Sequence, residues 1–147
     1  MLKKYMLEAD GQRDFYNSYL KLIDNMLSVD AVLSDNTDGV LNGNLLEFKV
    51  NINDLNAVLF QSIKYLSAFR IKGKPVPANI ILISLNDGKA YYFHSVDYLV
   101  YIEQVYIGAS SKDNSGFVGG HPVAELCYVE NQFDEAKLIS LLREKNY

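Results

Sequence analysis

The chain predicts a mixed α/β domain, a mixed β-sheet flanked by helices in the order α-β-β-β-α-β-β-α with a C-terminal helix. Three observations carry this. Residues 11–28 repeat apolar side chains with helical periodicity, Asn42-Gly43 stands as a hairpin turn, and residues 78–85 form a nearly unbroken apolar run. Alternation between helical and extended patterns along one chain is the signature of a layered α/β architecture.

In the first helix, Asp10 is the expected N-cap. Phe15, Tyr16, Tyr19, Leu20, Ile23, Met26 and Leu27 then fall on one broad stripe, opposite Asp14, Ser18, Lys21 and Asn25. Such a stripe packs on something flat. Ala31-Val32-Leu33 is short and apolar and predicts a first strand, followed by a turn-like Ser34–Thr37 segment. Asn42-Gly43 suits a two-residue type I′ turn, which needs positive φ at both central positions. That turn supplies the second and third strands.

Asp54 predicts the cap of a second helix running from Leu55 to Phe69 and stopped by Lys72-Gly73-Lys74-Pro75. The run Ala78–Leu85 reads as a central strand buried on both faces. Asn86-Asp87-Gly88 turns into a partner strand over Lys89–His94. Residues 96–106 suit a helix, with Ser95 as its cap, although their Tyr, Val and Ile content also suits a strand. The Gly- and Ser-rich segment 108–120 reads as a loop and 124–129 as one more strand. Asn131 is the expected cap of a last helix, with Asp134 and Glu135 in its first turn and Arg143 and Lys145 in its last. That charge order suits the helix dipole.

A type I′ turn at Asn42-Gly43 also sets a register. Leu41 faces Asn44, Val40 faces Leu45, Gly39 faces Leu46 and Asp38 faces Glu47. Carboxylates directly opposed on paired strands repel unless a positive charge stands between them. Lys49 lies two residues beyond Glu47 and therefore on the same face. Leu46, Phe48 and Val50 point the other way, to a core face. Asp, Glu and Lys gathered on one face of a hairpin predict a cation site with an amine beside it.

With 147 residues, 49% apolar and 22% charged, the chain is long enough for one hydrophobic core and ordinary in composition. A net charge of −4 argues against attachment to nucleic acid by bulk charge alone. The local basic patch Arg70-Ile71-Lys72-Gly73-Lys74 is the best phosphate contact, or else a solvated turn after a helix. One cysteine, Cys127, excludes an internal disulfide and a Cys-rich zinc site, and reads as a small buried hydrophobe. No secretory h-region and no membrane-length apolar run is visible, so the expectation is a cytoplasmic protein with no membrane partner. His94 and His121 lack acidic or Cys partners at ligand spacing and read as structural. Segment 116–120 lacks the Lys-Ser/Thr of a P-loop.

The pattern Thr37-Asp38 followed by the hairpin and Glu47-Phe48-Lys49 resembles the PD-(D/E)xK nuclease superfamily, with Thr37 standing where the family name has Pro. Gln61-Ser62-Ile63-Lys64-Tyr65 in the next helix matches the Q-x-x-x-Y pattern. That pattern marks the branch with helicase-linked nucleases, some phage exonucleases and ATP-dependent restriction enzymes. The resemblance covers residues 11–94. It implies a restriction-endonuclease-like fold and a Mg²⁺-dependent deoxyribonuclease, with Mn²⁺ able to substitute. Asp38, Glu47 and the Phe48 carbonyl would hold the metal, Lys49 would position the nucleophile and offset charge on the phosphate, and Gln61 and Tyr65 would orient the nucleophile or hold flanking phosphate. An acid of the first helix, such as Asp24, and also Asp35 are weighed as further ligands but not counted. DNA is the implied partner. Residues 1–147 would then be one nuclease domain excised from a larger restriction-modification or helicase-linked protein, with a methyltransferase or helicase downstream. The alternative is a non-catalytic nucleic-acid-binding or scaffolding module on the same fold.

Overall fold

A computed structural model describes residues 4–35, 39–104, 124–127 and 134–144. Its elements are α1 (Glu8–Ile23), α2 (Val29–Asp35), β1 (Val40–Leu41), β2 (Asn44–Lys49), α3 (Leu55–Ile71), β3 (Asn79–Ser84), β4 (Lys89–His94), a 3₁₀ turn (Ser95–Tyr98), α4 (Leu99–Gln104), β5 (Ala124–Cys127) and α5 (Asp134–Arg143). The strands form one mixed sheet in the order β1-β2-β3-β4-β5, with β2 and β3 parallel and the other neighbours antiparallel. Helices cover both faces. On one face Phe15, Tyr16 and Leu20 of α1, Val32 of α2 and Leu138 and Leu142 of α5 pack on Leu46, Phe48, Ile81 and Ile83. On the other, Leu59, Ile63 and Leu66 of α3 and Ile102 of α4 pack on Leu45, Ile80, Leu82 and Phe93.

The hairpin has the expected turn and register. Asn42 and Gly43 both take positive φ, 53° and 79°. Val40 pairs with Leu45 and Leu41 with Asn44, and the Leu46 amide donates to the Gly39 carbonyl at 2.8 Å. β3 is buried along its whole length between β2 and β4, as its apolar run predicts. Asp54 caps α3 by accepting from the Ala57 amide at 3.2 Å.

Four expectations are corrected. Residues 31–33 are not a strand but the middle of α2. Ser28 starts that helix: its hydroxyl accepts from the Ala31 amide at 3.2 Å and its carbonyl from the Val32 amide at 3.0 Å. A local cap of this kind outweighs the β-propensity of three apolar residues. α1 begins at Glu8, two residues before the expected cap Asp10, and ends at Ile23, where Asp24 turns extended and accepts from the Met26 amide through its side chain. Met26 is therefore exposed rather than part of the stripe. Ser95 does not cap a helix; it opens the 3₁₀ turn and donates to the Pro77 carbonyl at 2.6 Å. Finally, the Glu47 and Lys49 face of β2 is not purely polar: Leu45 on that face is buried under α3, while Glu47 and Lys49 stay partly exposed. The expectations placed on Thr37, Asp38, segment 108–120, His121 and Asn131, and on the side chain of Cys127, lie outside the described residues.

A line of polar side chains crosses the apolar sheet. Asn44, Asn79 and His94 stand opposite one another on β2, β3 and β4. Asn79 donates to Asn44 Oδ1 at 3.0 Å, and its own Oδ1 lies 3.1 Å from His94 Nδ1. Asn44 in turn donates to the Leu41 carbonyl at 3.1 Å. His94 is thus structural, as its sequence context suggests.

Candidate active site

β1, as described, pairs with only the first part of β2. On that side no described strand pairs with β2 beyond Leu46, where Gly39 stands opposite. Beside that stretch, Glu47 and Phe48 line a pocket of about 470 Å³. Its walls come from four places: Glu8 and Gln12 of α1, Gly39 of the hairpin, Leu46, Glu47 and Phe48 of β2, and Tyr65 with Lys72 and Lys74 from α3 and the turn after it.

Strand geometry settles how β2 presents itself there. The Lys49 carbonyl accepts from the Leu85 amide at 2.9 Å, toward β3, whereas the Leu46 amide donates to Gly39, toward β1. Backbone groups on a strand alternate sides, so the Phe48 amide and carbonyl point with those of Leu46 to the β1 side of the strand. Side chains alternate between faces, and Glu47 and Lys49 share theirs with Leu45.

The Lys49 ammonium lies 3.9 Å from Glu47 Oε1 and 3.9 Å from Glu8 Oε1. These are loose contacts, so neither carboxylate is well neutralised. Glu47 is also taken out of water beneath α3, its side chain only 16% exposed. Burial pushes its pKa from 4.5 up to about 7; Lys49 pulls it back and Glu8 pushes it further up. Gln61 and Tyr65, one turn apart on α3, meet: the Gln61 amide donates to the Tyr65 hydroxyl at 3.3 Å. Burial, then the charge of Glu47, raises the Tyr65 pKa, with Gln61 opposing and Glu8 adding to the rise.

The structure thus gathers Glu47, Phe48 and Tyr65 around one pocket, with Lys49 paired to the Glu47 that lines it and Gln61 behind Tyr65. Asp38 lies outside the described residues, while its neighbour Gly39 lines the pocket. Asp24 serves the end of α1, and the side chain of Asp35 is outside the described residues. Of the basic patch, Arg70 is committed elsewhere, donating to the carbonyls of Ile102 at 3.3 Å and Glu103 at 3.2 Å.

Glu8 and Gln12 are new. They sit at i and i+4 on α1 and so share a face. What brings that face to the sheet is Gly11: a Cβ there would run into the Leu85 side chain. Leu85 is the residue whose amide bonds to Lys49, so close approach of α1 at Gly11 delivers Glu8 to Lys49. The sequence hides this start because Leu7 occupies the cap position with no side-chain bond.

Among the described residues, no group of three His, Cys, Asp or Glu side chains is placed to hold a metal. The donors present among the described residues are the carboxylates of Glu8 and Glu47 and the Phe48 carbonyl on the β1 side of β2. All are hard oxygen donors, and Mg²⁺ takes one or two carboxylates while keeping several waters. A buried carboxylate with a raised pKa and only a distant ammonium is also one that a cation would relieve. The donor set therefore fits a hard divalent ion. Among known proteins, no family model, no curated protein and no solved structure matches the chain.

Proposed function

We propose that the chain is a metal-dependent DNA nuclease hydrolysing phosphodiester bonds, serving as the nuclease domain of a restriction-modification or helicase-linked DNA-processing protein. A restriction-endonuclease-like core is part of the same proposal. The observation that carries it is the pairing of Lys49 with Glu47 on one face of β2, where Glu47 lines a pocket that α3 completes with Tyr65. An unrelated hairpin with an accidental Glu-x-Lys triplet has no reason to meet a Gln-Tyr pair there.

Glu47, the Phe48 carbonyl and Asp38 would hold Mg²⁺ or Mn²⁺, with Glu8 as a further carboxylate. Such an ion supplies an activated water and offsets charge on the scissile phosphate. Lys49 donates to a phosphate oxygen beside Glu47 and stabilises the charge that develops there. The Tyr65 hydroxyl stays protonated, as its raised pKa favours, and donates to phosphate while Gln61 fixes its orientation. Glu47 holds no proton when it serves as a ligand, so ligation strengthens as pH rises through about 7.

The test is plasmid DNA incubated with Mg²⁺ or Mn²⁺. Wild type nicks or degrades it, and Lys49→Ala and Asp38→Ala each cut at least about 100-fold more slowly, as expected for loss of a charge-stabilising group. Cleavage that survives both substitutions overturns the site. Wild type that binds DNA and never cuts it would favour the non-catalytic module.

A further inference from the structure

The turn that ends α3 is unusually well fixed. The Gly73 amide donates to the Arg70 carbonyl at 3.1 Å and the Lys74 amide to the Phe69 carbonyl at 2.9 Å, with Gly73 at φ 72°. Those bonds form the Schellman arrangement, in which a left-handed residue closes the helix and sets the direction of the chain beyond it. Lys72 and Lys74 flank the glycine, and both line the pocket that holds Glu8, Glu47 and Tyr65.

Among the described residues neither lysine forms an ion pair, although two carboxylates share the pocket and Lys49 answers both. Two ammonium groups therefore stand at the pocket wall without an ion pair to any described residue. Arg70, the third cation of the same segment, is tied to α4 and cannot join them. Tyr65, Ala68 and Lys72 follow one another at helical spacing along the pocket side of α3. Lys72 is about 10 Å beyond Tyr65 along the helix axis. A cation at that distance reaches a neighbouring phosphate rather than the one beside Lys49. Tyr65, 41% exposed, offers a ring between the two positions, and Ala68 is small enough to leave the track open.

We propose that Lys72 and Lys74 grip the two backbone phosphates next to the scissile one, so that a DNA strand lies along α3 from Glu47 past Tyr65 to the turn. This rests on the nuclease reading of the pocket. The lysines bind and position; they take no part in the bond-breaking step.

The test measures binding of a short fluorescein-labelled single-stranded oligodeoxynucleotide across a salt series, with Ca²⁺ replacing Mg²⁺ to hold off cleavage. Lys72→Ala with Lys74→Ala lowers the slope of log K against log salt by about 1.4, since each single-strand phosphate contact contributes about 0.7. Affinity falls about tenfold at moderate salt, and KM for cleavage rises by a similar factor while kcat changes far less. Lys72→Arg with Lys74→Arg restores the slope, and Lys64→Ala, away from the pocket, leaves it as in wild type. If the double alanine variant melts early, the single Lys72→Gln and Lys74→Gln variants replace it, each expected to lose about half the effect. An unchanged slope and affinity overturn the proposal. Wild type that cuts while the lysine variants bind normally removes the grip and leaves the nuclease standing. Wild type that never cuts, but whose binding needs both lysines, removes the nuclease and leaves the grip.

Discussion

Glu47 is ionised at a cost to the fold. Its pKa is raised to about 7 by burial, so the protonated form is the one the folded chain favours. A carboxyl group raised in this way contributes stability that is complete below its ordinary pKa of 4.5 and is lost as pH rises through about 7. The loss is up to about 3 kcal/mol, reduced by whatever solvent reaches the group. Glu47→Gln keeps the shape and removes the titration. In urea denaturation without divalent metal, the variant is expected to be more stable than wild type at pH 8 and close to it at pH 5. Curves that run parallel across that window would show that Glu47 is not strained. If the proposed nuclease reading holds, the same substitution is expected to abolish cleavage of plasmid DNA, and the residue would then trade stability for the site.

Among the elements, α1 is set by one missing side chain. Gly11 lies against Leu85 with no space for a methyl group. Alanine there gains about 1 kcal/mol in helix propensity but overpacks a buried contact at about 1–3 kcal/mol. The expected net effect of Gly11→Ala is a loss of about 1 kcal/mol in urea denaturation, and a smaller loss when the same substitution is made in a Leu85→Ala background. A variant more stable than wild type would mean that the Leu85 side chain yields to the added methyl group. This element also shows what sequence can and cannot reveal. Turn chemistry and the capping of α3 are local, and Asn42-Gly43 and Asp54 declare them. The start of α1 and the identity of α2 are not: Leu7 carries no capping group, and the apolar periodicity runs on to Ser28, which begins a second helix instead of ending the first. Glu8 was missed for that reason. The pairing of Gln61 with Tyr65 was legible because both belong to one helix, whereas the Glu8–Lys49 contact joins residues far apart in the chain through a third, Leu85.

Across the whole molecule, both faces of the sheet are apolar, and the central strand has little in its composition to say where its neighbours should stop. Ile80, Ile81, Leu82 and Ile83 are nearly interchangeable as packing units. A slip of two residues would keep every side chain on its face, so the alternation of faces does not forbid it. The polar line through Asn44, Asn79 and His94 does, because any slip strands buried amides without partners at about 1–3 kcal/mol each. Asn79→Val is expected to lower stability by that amount and to give doubled amide peaks for β2 and β3 in a ¹H–¹⁵N spectrum. A single sharp set of peaks would place register control elsewhere, in the hairpin turn for instance. Seen this way, the three side chains act as an alignment key at one end of the sheet for chemistry proposed at the other. Glu47 and Lys49 meet α1 and α3 at the right height only if β2 stops where Asn44 meets Asn79. A search for functional residues would pass over this line, since none of the three lines the pocket beside Glu47, yet an error in it would move Glu47 and Lys49 a full repeat along the strand.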